Sequence, residues 1–229
     1  MLARTSDIGA VGNGRRLVAV DPSIHDAPER HMTHEQPDSP TATEMSRWLA
    51  LQDRAHSAFE LRLVAVEDWT APTPDTEWDV RALVLHVVRE QQRAHTLLSG
   101  GDESPIRLEP VAADLRGEWR RVTDRLSSTA RAVDPASAVR LGRDTVSALE
   151  LLQEQVADVT VHAWDLARAT GSDERLDDDL VAAVWELFAP QEDTLRASGL
   201  YAAPVPVDET APLQSRLLAI TGRDDRLAA

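Results

Sequence analysis

The stretch DTVSALELLQEQVADVTVHAWDLARAT, residues 144–170, carries apolar residues at a helical period and is followed by Gly171. Leu151, Val159 and Leu166 fall in one sector, and a glycine after the last periodic residue is a favoured helix stop. The segment is therefore predicted as the longest helix of the chain. Within it, Asp158 and His162 are four residues apart, so they sit about 40° apart round the axis, in that same apolar sector. A carboxylate facing a helical interior is costly unless a positive charge compensates it. The pair predicts either a metal ion held by both side chains or a buried Asp158–His162 ion pair. On the opposite side, Ala157, Thr160 and Trp164 form a second patch that needs a partner. The segment containing Trp185, Phe188 and Leu217 is the natural candidate.

The same period extends outward along the chain. A helix is predicted from roughly Glu44 to Glu67, with Trp48, Leu51, Ala55, Phe59 and Val66 inward, and Pro72 and Pro74 follow its end. A second runs from about Trp78 to Leu98 and stops at Gly100-Gly101. A third runs from about Ala112 to Val133, with Leu115, Trp119, Val122 and Leu126 inward, before Pro135. No convincing alternating run suggests a strand. Beyond Gly171 come a helix from about Asp177 to Phe188, an extended Pro-rich stretch at 203–207, and a short helix that starts at Pro212 and ends at Gly222. The fold class is all-α: an antiparallel four-helix bundle over residues 45–171 with a short helical C-terminal extension, 172–229, packed on it. Residues 1–44 are rich in Gly and Pro, lack a sustained period, and are expected to be a disordered or loosely packed tail.

Composition excludes several roles. Of 229 residues, 42% are hydrophobic, enough for a core, while aromatics make up only 4%. The net charge of −15 disfavours nucleic acid and anionic membrane surfaces as partners. The absence of cysteine excludes disulfides, thiolate ligands and a cysteine nucleophile. No apolar run approaches the ~18 residues of a spanning helix, and the run after Arg15-Arg16 is too short for a signal peptide, so the chain is expected in the cytoplasm.

His86 lies in the apolar run Leu83-Val84-Leu85-His86-Val87-Val88 of the second helix. If that helix faces the Asp158–His162 helix, a set of two histidines and one carboxylate results, with an open position for water or a thiol. Zinc is the first choice by ligand type, and nickel and iron are compatible. Glu90, one turn after His86, is a candidate fourth ligand, hydrogen-bond partner to a ligand, general base or edge carboxylate. Glu154, one turn before Asp158, is offset towards solvent. His56 and His95 read as surface or boundary residues, and His25, His31 and His34 as solvated tail residues. Gly12-Asn13-Gly14 lacks the third glycine and preceding strand of a nucleotide loop, and no nucleophile elbow or His-Glu-x-x-His run occurs.

Three stretches carry a family resemblance. Residues 72–83 leading to His86, residues 158–171 (Asp-Val-Thr-Val-His-Ala-Trp-Asp-Leu-Ala-Arg-Ala-Thr-Gly), and the end from Pro204-Val205-Pro206-Val207 to Gly222-Arg223-Asp224 resemble the mycothiol-dependent maleylpyruvate isomerase metal-binding domain family. The resemblance spans about Met45 to Asp225. It implies a DinB-like bundle and a divalent metal, usually zinc, on His86, Asp158 and His162. It also implies a low-molecular-weight thiol, mycothiol, whose thiolate the metal favours, acting on a small electrophile. Asp75 stands where relatives commonly have cysteine, so any role of that thiol is lost here. Two functions follow as expectations. One is a metal-assisted, mycothiol-dependent transferase or isomerase with Glu90 as its base. The other is a non-catalytic metal-binding module, a sensor or partner-binding protein.

Overall fold

In a computed structural model that describes residues 41–75, 78–102, 114–199 and 201–226, helix α1 (Ala42–Val64) begins from a capping box. Thr41 accepts from the Glu44 N–H at 3.1 Å, and the Glu44 carboxylate accepts the Thr41 N–H at 3.1 Å, so two amides without helical partners are satisfied together. The helix thus starts slightly ahead of the boundary read from the apolar period. The expected tail lies otherwise outside the described residues. α2 (Val80–Leu98) is capped by Asp79, which accepts from the Ala82 N–H at 2.8 Å. Trp78, expected at the start of this helix, instead lies in the preceding loop. Thr73 pins that loop, its hydroxyl bonded to the carbonyls of Asp75 and Trp78.

α3 (Leu115–Ala132) and α4 (Ala148–Thr170) complete the bundle. Between them lies a departure from the sequence-based expectation. Residues 138–147 form an antiparallel hairpin of β1 (Ala138–Leu141) and β2 (Asp144–Ser147), so α4 begins at Ala148 rather than Asp144. Gly142 turns at φ 57° while Arg143 keeps a negative φ, the pattern of a type II′ turn. Val139, Leu141 and Val146 point inward, but three apolar positions in two four-residue strands are too few for alternation to show.

α1 packs against α4 and α3, and α2 against α3 and α4. Directions follow from specific pairs. Arg131 reaches Asp53 at 2.7 Å and Arg116 reaches the Leu63 carbonyl at 3.1 Å, so α1 and α3 run antiparallel. Gln91 bonds Gln155 at 2.9 Å while His86 lies beside Asp158, so α2 and α4 also run antiparallel. His95 and Thr129 meet near the ends of α2 and α3, and Arg62 near the end of α1 bonds the Asp173 and Arg175 carbonyls just past α4, so α1 with α4 and α2 with α3 are parallel pairs, laid antiparallel to one another. Leu151, Val159 and Leu166 are almost fully buried, as are Phe59 and Trp119, whose rings stack at 4.6 Å.

Past α4, Gly171 adopts φ 64° as the expected stop. α5 (Asp178–Phe188) packs on α4 and buries Phe188. Pro190 does not end the helical run: a 3-10 turn at Ala189–Gln191 absorbs it, and α6 (Glu192–Ser198) follows. Proline fits there because the first turn of a helix needs no donor from it. The Val205 N–H then bonds the Ala219 carbonyl at 2.9 Å, holding the Pro-rich stretch against α7 (Leu213–Ile220), which packs on α5. No helix among the described residues is long and apolar enough to cross a membrane.

Candidate metal centre

α2 and α4 bring His86, Asp158 and His162 together. One ligand atom from each lies within 4.8 Å of the other two. Asp158 Oδ1 is 3.4 Å from His162 Nε2 and 3.7 Å from His86 Nε2. Both separations exceed a good hydrogen bond. Ligand atoms held tetrahedrally at about 2.0–2.1 Å from one zinc ion stand about 3.3 Å apart, close to what is seen. Asp158 Oδ2 is buried without a hydrogen-bond partner, an orphan acceptor in a place where such groups are costly. The donor set, its spacing and this orphan oxygen fit a divalent cation. The His162 side chain is 5% exposed, whereas those of His86 and Asp158 are 31% and 20% exposed, so the centre is open on one side.

The electrostatics agree. Burial alone would raise the Asp158 pKa, but His162 and His86 hold it well below the usual carboxylate range. Burial would lower that of His162, but Asp158, with Asp165 behind it, pushes it up to about 9. A site that stabilises positive charge on its imidazole in the absence of metal is suited to a cation at the same point.

Four further residues shape the centre and were not singled out from sequence. Asp165, fully buried, accepts the His162 Nδ1–H at 2.9 Å, which leaves Nε2 as the nitrogen facing Asp158. Arg223 grips the same carboxylate at both oxygens, at 3.1 and 2.8 Å. Trp78 lies over His86 with ring centroids 4.6 Å apart and reaches His162 at 5.7 Å. Tyr201 lies beneath the Arg223 guanidinium, and burial together with the charges of Asp158, Asp165 and Glu154 raises its pKa. Asp165 follows His162 by three residues, so helical spacing could have flagged it. Arg223 stood within the quoted Gly222-Arg223-Asp224, with nothing local to connect it to α4.

The remaining candidates fall elsewhere. Glu90 is half-buried one turn beyond His86 and pairs with Arg93 at 3.2 Å; it is not part of the three-residue cluster. Glu154 is half-buried, and its charge adds to the rise in the Tyr201 pKa. His56 is a boundary residue whose Nε2 meets Gln91 Oε1 at 2.9 Å, and burial lowers its pKa to about 4. His95 contacts Thr129 at 2.9 Å. A separate cleft between α5 and α7, lined by Glu174, Asp178, Leu213 and Asp225 among others, includes none of the three cluster residues.

A helical bundle with two histidines and a carboxylate converging from α2 and α4 defines a class of candidate metal-binding bundles. Residues 49–167 match the model of the mycothiol maleylpyruvate isomerase N-terminal domain, and the chain belongs to that family. Two relatives from Mycobacterium tuberculosis, the uncharacterized proteins MT0763 (strain CDC 1551 / Oshkosh) and Rv0738 (strain H37Rv), are each 29% identical to it over 185 residues. The alignments cover 78% of this chain and 98% of theirs. The matched domain contains His86, Asp158, His162 and Asp165 but stops short of Arg223.

Proposed function

We propose that the protein is a metal-assisted, thiol-dependent transferase or isomerase, in which His86, Asp158 and His162 hold a divalent metal, zinc by ligand type. The thiol is mycothiol or a close relative, and the second substrate is a small electrophile. The observation that carries this reading is the three-ligand cluster with one open side. Three protein ligands and a vacant fourth position mark catalytic rather than structural zinc sites. When bound, the metal supplies a positive centre that lowers the pKa of a thiol bound there and favours its thiolate.

The chain's own residues do the rest. Asp165 holds the His162 ring in one tautomer through Nδ1. Trp78 covers the two imidazoles and limits water on that side. Glu90 is the candidate base, standing one turn from His86 and held by Arg93. Membership of the mycothiol-named family supports the choice of thiol.

Cobalt substitution tests the reading. The cobalt-loaded protein, titrated with mycothiol, should develop a sulfur-to-metal charge-transfer band that saturates at one thiol per chain and is missing in Asp158→Ala. A cobalt spectrum unmoved by saturating thiol would contradict the enzyme reading and leave a metal-binding module.

A further inference from the structure

The C-terminal segment reaches the candidate centre through one buried ion pair. α7 ends at Ile220, and Gly222 then turns at φ 79°. A Cβ at that position would stand 2.6 Å from the Cβ of Ala202, so only glycine lets the chain close against residues 201–202. The turn is fixed by the Arg223 N–H bonding the Leu218 carbonyl at 2.8 Å. It aims the guanidinium inward, where Nη1 donates to the Thr221 carbonyl at 2.6 Å and Nε and Nη2 clamp Asp165. Asp165 Oδ2 takes both the Arg223 Nη2 donor and the His162 Nδ1 donor. One fully buried oxygen thus joins the extension to a ligand of the centre.

We propose that residues 201–226 form a clasp whose docking and metal binding strengthen each other, with Asp165 and Arg223 as positioning residues for His162. The proposal rests on the metal reading above. Undocked, the clasp would leave buried Asp165 without its Arg223 counter-charge, free to turn away from the ring or to draw water in. Docked, it fixes Asp165, and Asp165 fixes the ring with Nε2 turned to the point beside Asp158 where a cation would sit. Partners of this kind, one bond behind a metal ligand, typically govern affinity by 10–100-fold. Thermodynamic linkage makes the effect reciprocal: whatever clasp docking adds to metal affinity, metal adds to clasp docking.

Two measurements on the full chain decide it. In the wild type, amide hydrogen exchange across residues 213–226 should slow when zinc is added and quicken with chelator, while the α3 peptides stay unchanged. Zinc affinity, read by competition with a chromophoric chelator, should fall about tenfold or more in Arg223→Gln and Asp165→Asn. It should fall in Gly222→Ala too, although that residue touches no ligand. The cobalt absorption spectrum of Arg223→Gln should shift, which a merely structural role would not cause. Clasp exchange indifferent to zinc in the wild type overturns the proposal, even if every variant fails to fold. So does wild-type zinc affinity in Arg223→Gln. A wild type that binds no zinc at all is a different result and removes the metal reading itself.

Discussion

Stripped of metal, the protein should lose stability as the pH is raised through mild alkalinity. His162 has a folded-state pKa of about 9 against an ordinary 6.5, because Asp158 and Asp165 outweigh the cost of its burial. Below pH 6.5 the ring is protonated in folded and unfolded chains alike, and the full benefit of the pairing is present. Between 6.5 and about 9 the unfolded chain releases its proton while the folded one keeps it, so the benefit drains away. At about 1.4 kcal/mol per pH unit the loss is about 3 kcal/mol. A chain of this size shifts its melting point by roughly 2–4 °C per kcal/mol, so the midpoint should fall by about 10 °C. The assay is thermal unfolding followed by far-ultraviolet circular dichroism, in chelator, at intervals from pH 6 to 9.5. Asp158→Asn removes the carboxylate charge that does most to hold the His162 proton and should flatten the profile. Metal must displace the same proton, so zinc affinity should rise about tenfold per pH unit over this window. A wild-type midpoint that is flat or rises from pH 6.5 to 9 would refute the assigned charge state of the pair.

Chelation at fixed pH 7.5 should lower the melting midpoint, since a ligand bound only by the folded state stabilises it by mass action; an unchanged melting curve would count against a tightly held ion. A chain beginning at Pro40 should match the full-length melting point, whereas one beginning at Met45 loses the Thr41–Glu44 capping box and should be about 1 kcal/mol less stable by urea titration. Gly142→Val places a branched side chain at a positive φ and should cost about 1–2 kcal/mol in the same titration, with metal content intact.

The four bundle helices were legible in the sequence because each repeats its apolar period over four or more turns. The pairing of His86 with Asp158 and His162 was legible because each lies in an apolar stretch that only a helix interior explains. The hairpin at 138–147 was not, because its inward positions are too few. Trp78, expected at the start of the second helix, lies outside it because Asp79 is the N-cap and Thr73 pins the loop. The parallel pairing of α1 with α4 and of α2 with α3 has no local signal: it is set by which faces meet once long connections relax the preference for antiparallel neighbours. Arg223 is the clearest case. Its partner Asp165 lies 58 residues earlier, and no spacing rule links an arginine after a short helix to a carboxylate inside a long one.

The central claim is that Asp158 is a metal ligand rather than only the partner of a protonated His162. Metal stoichiometry of purified wild type, Asp158→Glu, Asp158→Asn, Asp158→Ala and His162→Ala, measured side by side, tests it most directly. The account predicts about one divalent ion per chain in the wild type. It predicts substantial retention in Asp158→Glu, which keeps the charge and alters only reach, and near-complete loss in the other three. Metal content equal to wild type in all four variants would contradict the account and leave the pair as a buried salt bridge.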